Sequence, residues 1–273
     1  MAEVIGIMSG KGGVGKTTLA LNLGLAMQNL GDDVVVVDGD IKNPNLGLYL
    51  GLYQYNATIN DVLKGSAELS DAIIKTTGVK IVPASLAYTS SGIGLTRLKN
   101  LFSDMSGHVL LDFAPGLGRE VLSLLDICDK SLIVTNPNIP SMASTLRLIN
   151  IIENQNKKIL GVVVNRIGKS YEIIREDIET VCPGKAIWEI PEDENVRKSA
   201  MLKTPVLDYK PYSRASLRFK EMAANILEKA YKEPSLSRIR GLFNLFRRTA
   251  DTTGNQFPDL KNEEYRRGYN QNL

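Results

Sequence analysis

"SGKGGVGKTT", residues 9–18, decides the fold of this chain. Gly10 to Thr17 satisfies the pattern G-x-x-x-x-G-K-[ST]. The pattern stands between an apolar run, EVIGIM (3–8), and a segment (17–30) whose apolar residues recur at three and four. A strand that breaks into a glycine loop and then a helix is the context in which such a loop closes around phosphate. Glycines let backbone N–H groups turn toward the oxygens, and the helix N-terminus adds partial positive charge. Gly12, Gly13, Val14, Gly15, Lys16, Thr17 and Thr18 are therefore the candidate phosphate-binding residues. Lys16 is placed to neutralise the β- and γ-phosphates, and the Thr17 hydroxyl to ligate magnesium.

Outward from the loop, short β-branched runs alternate with helical periodicity. DVVVVD (33–38), VKIVPA (79–84), HVLLDF (108–113), SLIVTN (131–136), ILGVVVN (159–165) and AIWEI (186–190) read as buried strands. Segments 93–105, 118–127, 141–154, 170–181 and 212–232 read as helices. Strand–helix alternation implies right-handed crossovers, and so a three-layer α/β fold of the phosphate-loop NTPase kind: a mostly parallel sheet with helices on both faces. Ligands of such sheets bind at the carboxyl ends of the strands. Asp38 and Asp40, in DGD (38–40), and Asp112, in LLDFAPG (110–116), stand at strand ends beside the loop. Asp38, Asp112 and Thr17 are the candidate magnesium residues, and Gly116 is placed to turn a backbone N–H toward the γ-phosphate. Guanine recognition through N-K-x-D is missing, since NKKI (156–159) lacks the acid, so adenine is the expected base.

The bulk composition fits one large α/β domain. The chain has 273 residues, 43% hydrophobic and 23% charged, with a net charge of +3 that excludes wholesale coating by nucleic acid. Cys128 and Cys182 stand far apart and suggest buried thiols, with no metal or disulfide framework. No run approaches the roughly 18 apolar residues of a membrane span, and the start lacks a signal-peptide pattern. The expectation is a cytoplasmic protein that meets a membrane, if at all, peripherally from the inner face. His108, Trp188, Phe102 and Phe113 are expected in structural roles.

Lys11 has no role in the general loop pattern. KGGVGKTT (11–18) resembles the deviant phosphate loop of the MinD/ParA ATPases, whose signature is that early lysine. DGDIKNPNLGLYLG (38–51) and DFAPGLG (112–118) resemble the two switch segments of the MinD branch. GVVVNR (161–166) and the stretch 190–216 resemble the segments framing adenine, and the pattern is closest to archaeal MinD-like proteins. The resemblance covers about residues 1–232. It implies a slow ATP hydrolase requiring Mg2+ and forming a homodimer with ATP bound. Lys11 reaches the partner's phosphates, Lys16 and Thr17 act on their own nucleotide, and Asp40 orients the attacking water. Asn165 and the loop after Pro191 contact the base. A regulatory or cargo protein is an expected partner.

SLSRIRGLFNLFRR (235–248) places Leu236, Ile239, Leu242, Phe243 and Phe246 on one half of a helical wheel, with arginines gathered on the other and no acid. Such a helix suits an anionic membrane surface. Residues 233–248 are thus expected to be a linker and membrane-targeting helix, and 249–273 a polar, disordered tail. Two other functions compete. A DNA-partitioning ParA-type ATPase would use Arg214 and Arg218, but the second strand continues Asp-Ile-Lys-Asn-Pro-Asn, unlike that branch, so DNA is the less favoured partner. A nucleotide-gated scaffold would hydrolyse ATP only incidentally.

Overall fold

The computed structural model describes residues 1–76, 78–86, 95–168, 173 and 175–232. The chain begins with β1 (Glu3–Met8), α1 (Lys16–Asn29) and β2 (Val34–Gly39). Three short helices follow, α2 (Leu46–Tyr49), α3 (Ile59–Lys64) and α4 (Leu69–Ala72), then the strands β3 (Ile74–Thr76) and β4 (Val79–Val82). Next come α5 (Leu95–Ser103), β5 (His108–Phe113), α6 (Arg119–Leu125), β6 (Lys130–Thr135), α7 (Ile139–Asn154), β7 (Lys158–Ile167) and α8 (Arg175–Val181). β8 (Ile187–Pro191), α9 (Glu194–Met201), α10 (Val206–Tyr209) and α11 (Arg214–Ile226) complete the described part.

The strands form one eight-stranded sheet in the order β3-β4-β2-β5-β1-β6-β7-β8, parallel throughout except for the β3–β4 pair. This is the expected architecture. Successive side chains of a strand point to opposite faces, so a parallel sheet covered on both sides must be apolar at every position. Val34 and Val36 of β2 pack into one core with α1, α10 and α11, whereas Val35 and Val37 pack into the other with α3 to α8. Phe102 and Phe113 are fully buried, and Cys128 and Cys182 are free buried thiols, as expected. Trp188 packs against the α1-side core, where a Cβ on Gly161 would lie 2.3 Å from its ring. His108, read as structural, begins β5 at the end of the strands opposite the loop, with its ring Nδ1 2.7 Å from Asp32 Oδ2.

Strand β3 and helices α2 to α4, α9 and α10 escape periodicity because three to eight residues are too few to establish a repeat. α3 still carries a local signal. Thr58 and Asp61 form a reciprocal capping box, with Thr58 N and Oγ1 donating to Asp61 Oδ2 at 2.9 and 2.6 Å. The last helix ends at Ile226, short of the expected 232, and Glu228 follows with φ 53. The residues expected to target a membrane, Leu236, Ile239, Leu242, Phe243 and Phe246, and the tail expected to be disordered lie outside the described residues.

One buried polar tie joins α1 to the segment before α11. Asn22 is fully buried on α1, its Nδ2 donating to Thr18 O at 2.8 Å and its Oδ1 accepting from Leu207 N at 3.0 Å. Asn22→Ala leaves the Leu207 N–H buried without an acceptor. Urea denaturation is expected to show a loss of about 1–3 kcal/mol with an unchanged slope.

Candidate functional site

The sheet order reverses at β1, whose neighbours β5 and β6 lead away on opposite sides. The crevice at such a point opens at the carboxyl ends of the strands. Register assembles the chemistry there: Ile7 of β1 and Asp38 of β2 both lie opposite Asp112 of β5, so the phosphate loop and two carboxylates emerge side by side. The glycines of the loop do two jobs. Gly10 and Gly15 are packed against neighbours, since a Cβ would lie 2.6 Å from Ser144 Cβ at the first and 2.4 Å from Asn165 Nδ2 at the second. At Gly13 a Cβ would meet nothing within 4 Å, and φ 74 there and φ 102 at Gly15 are conformations that side-chain-bearing residues resist.

Lys16 is buried at the start of α1, and burial lowers its pKa against the opposing pull of Asp112 and Asp40. Thr17 Oγ1 donates to Asp112 Oδ2 at 2.6 Å, while Asp112 Oδ1 is buried with no hydrogen-bond partner. Burial raises the Asp112 pKa to about 6, with the Thr17 hydrogen bond and Lys16 drawing it back down. Burial, then the charge of Asp112, raises that of Asp38 to about 8. An orphaned carboxylate oxygen with a raised pKa, beside a threonine hydroxyl, is a donor set that fits a magnesium ion.

Asp38, expected beside the cation too, lines the same cleft as Thr17 and Asp112 and in addition holds backbone. Its Oδ2 accepts from the amides of Asn45 and Leu46 and its Oδ1 from Asp40 N, each at 3.1 Å. Asp38 therefore clamps the segment from Asp40 to α2. Asp40, itself buried, accepts from Asn43 N at 3.0 Å.

Lys16, Thr17, Thr18, Gly13, Gly15, Asp38, Asp40 and Asp112 line one cleft of about 700 Å³, with Tyr49 and Pro115 in its wall. A smaller cavity of about 50 Å³ shares Gly15, Thr18 and Arg166 with it and is walled by Val134, Val163, Ile190, Pro191 and Phe219. The charged cleft suits the phosphates of a nucleotide. Asn165 lies at the junction. Its Nδ2 donates to Val14 O at 2.7 Å, and its Oδ1 accepts from Arg166 N at 3.0 Å, so it props the loop from beneath. Gly116 N donates to Ser9 O at 3.0 Å, which ties the second switch segment to the loop instead of presenting that amide to phosphate. Gly12 borders Pro115, the Val14 side chain is buried in the core, and Lys11 is exposed and does not line the cleft.

Sequence reasoning placed Asn43, Asn45 and Tyr49 in the segment 38–51, Arg166 in 161–166 and Asp193 in 190–216 without giving them individual roles; the structure puts Asn43 and Asn45 in the clamp and Tyr49 and Arg166 in the cleft wall. Asp193 accepts from Asn195 N at 2.9 Å and Ala215 N at 3.1 Å and so holds the loop after Pro191 against α11. Burial raises the Asp193 pKa, but those amide hydrogen bonds outweigh it and hold the carboxylate low. An acid just before a helical run was a legible cap signal there.

Comparison with known proteins agrees with this site. A model of the CobQ/CobB/MinD/ParA nucleotide binding domain matches residues 5–206. An uncharacterized ATP-binding protein of Methanocaldococcus jannaschii is 36% identical over 259 residues, covering 89% of this chain and 98% of the relative. The structure of the septum site-determining protein MinD with Mg-ADP from Pyrococcus horikoshii is similar at TM-score 0.77 and 32% identity, covering 83% and 96% of the two chains. MinD in a MinC:MinD cell division complex from Aquifex aeolicus is similar at TM-score 0.76 and 28% identity, over 86% and 99%.

The paired carboxylates give a pH signature. Asp38, with its pKa raised to about 8, holds a proton in the folded nucleotide-free protein that the unfolded chain, at 3.8, releases. That stabilisation is complete below about pH 4 and is lost as pH rises through about 8. Asp38→Asn is expected to gain stability relative to wild type as pH rises across that window, measured as the difference in urea midpoints. A pH-independent difference would contradict the assignment.

Proposed function

This chain belongs to the CobQ/CobB/MinD/ParA family of ATPases, and we propose that it is a MinD-like member in which ATP-dependent dimerisation drives reversible residence on a membrane to position a partner protein. The observation that carries the reading is the division of labour between its two loop lysines. Lys16 is buried in the cleft among carboxylates, whereas Lys11 stands exposed outside it. A solvated cation beside the loop can complete a second subunit's phosphate site. It then stabilises triphosphate more than diphosphate, and nucleotide state becomes linked to association.

Within one subunit, Lys16 neutralises the β- and γ-phosphates, and amides of the loop from Gly12 to Thr18 surround them. Thr17 and Asp112 hold the magnesium ion, which supplies screening of phosphate charge. Asp38 fixes the segment that carries Asp40, and Asp40 orients the attacking water. Adenine lies against the loop after Pro191, with Asn165 beside it. Basal hydrolysis is slow and a partner accelerates it.

The Mg-ADP in the P. horikoshii MinD supports the nucleotide and cation, and the MinC:MinD complex of A. aeolicus supports a protein partner, whose identity here is open. Among the described residues no helix is long and apolar enough to cross a membrane. Attachment is therefore assigned to segment 235–248, through Leu236, Ile239, Leu242, Phe243 and Phe246, on the cytoplasmic face. One such helix binds weakly, and two held in a dimer bind with avidity.

Co-sedimentation with anionic vesicles, in ADP and in ATP, tests this reading. Wild type is expected to bind in ATP and release in ADP, and a chain ending at Pro234 to stay in solution. Lys11→Ala is expected to keep ATP affinity while losing ATP-dependent dimerisation and vesicle binding; if its vesicle binding matches wild type, the coupling is wrong. Asp40→Ala is expected to lower kcat about 10²- to 10³-fold while still dimerising with ATP.

A further inference from the structure

The α1 side of the sheet carries one surface that the nucleotide site does not explain. At the end of α9, Met201 is 84% exposed and Leu202 60% exposed. Around them lysines lie over tyrosine rings: Lys203 Nζ is 4.9 Å from the Tyr53 ring centre, Lys210 5.6 Å from Tyr209, and Lys220 4.8 Å from Tyr212. Tyr53 and Tyr212 are themselves 56% and 52% exposed. Other cations of α9 and α11 are matched to acids, Arg197 with Glu192, Lys198 with Glu194 and Arg218 with Glu221. Lys203 and Lys210 form no ion pair among the described residues. Lys220 Nζ donates to Pro211 O at 2.7 Å, which draws it to the turn carrying Tyr212.

We propose that this Met201–Leu202 surface, with Lys203 and Lys210, is a second membrane contact that docks the ATPase domain on anionic phospholipid headgroups; it rests on the membrane reading above. Each component suits the headgroup layer. Aliphatic side chains enter the acyl boundary, tyrosines place an apolar ring below and a hydroxyl above, and lysines extend their stems while the charge meets lipid phosphate. α11 begins at Arg214, two residues past Tyr212, so the turn carrying Tyr212 leads directly into that helix. The surface favours lipid over nucleic acid because its most exposed groups are aliphatic and gain nothing from a phosphate backbone.

The test uses the full-length protein with ATP. Met201→Cys is labelled with an environment-sensitive fluorophore, the native Cys128 and Cys182 being buried. Asp104→Cys, exposed next to α5 on the other side of the sheet, is the control. Blue-shifted, brighter emission at 201 on vesicles of phosphatidylcholine with phosphatidylglycerol, absent on phosphatidylcholine alone and absent at 104, is the expected result. Lys203→Glu with Lys210→Glu is expected to weaken vesicle binding about tenfold or more with ATP affinity unchanged. Sedimentation with a silent probe at 201 would overturn the second contact and leave the tail as sole anchor. No sedimentation of wild type in any nucleotide would overturn both readings, and a probe responding to duplex DNA but not to vesicles would reassign the surface.

Discussion

The structure depends on a charge imbalance built into its centre. Lys16 is buried at the head of α1 with Asp38, Asp40 and Asp112 around it. Burial raises the pKa values of Asp38 and Asp112, and the neighbouring carboxylates add to the rise. Asp38 relieves part of it by accepting three amide hydrogen bonds. Asp112 keeps an oxygen with no partner. That oxygen, beside the Thr17 hydroxyl, forms a donor set that fits a divalent cation.

The same arrangement connects the site to segments that move the consequences outward. Because Asp38 is both opposite Asp112 in the sheet and bonded to Asn45 and Leu46, a change in charge at the cation position reaches α2 through a single side chain. Tyr53 follows α2 and contacts Lys203, just past α9. On the other flank, Asp193 bonds to the amide of Ala215 and so couples the loop after Pro191 to α11. Both chains of contacts end at the α9–α11 side of the domain.

Parts of this were legible without coordinates. The phosphate loop is local: its glycines, Lys16 and Thr17 act through backbone freedom and a helix terminus, both written in consecutive residues. The longer strands and helices were also readable, since a sheet covered on both faces forces apolar runs such as VVVV at 34–37. Asp38 shows where this stops. Its position at a strand end was plain, yet which backbone amides its oxygens also accept from depends on the path of the loop from Asp40 to Asn45. Asn165 was likewise placed near the base by resemblance, but that it props Val14 is a matter of how close β7 comes to the loop.

What the sequence by itself determined, then, was the fold class, the nucleotide loop and the candidate acids, because each rests on short-range periodicity or backbone chemistry. Only the tertiary structure decided which carboxylate retains an unpaired oxygen, how the charged cleft and the smaller cavity meet at Gly15, and that Met201 and Leu202 stay exposed at the end of α9. Those outcomes depend on strand register and on residues distant in the chain coming within a few ångströms of one another, and burial and electrostatic interaction are set by that proximity, not by sequence spacing.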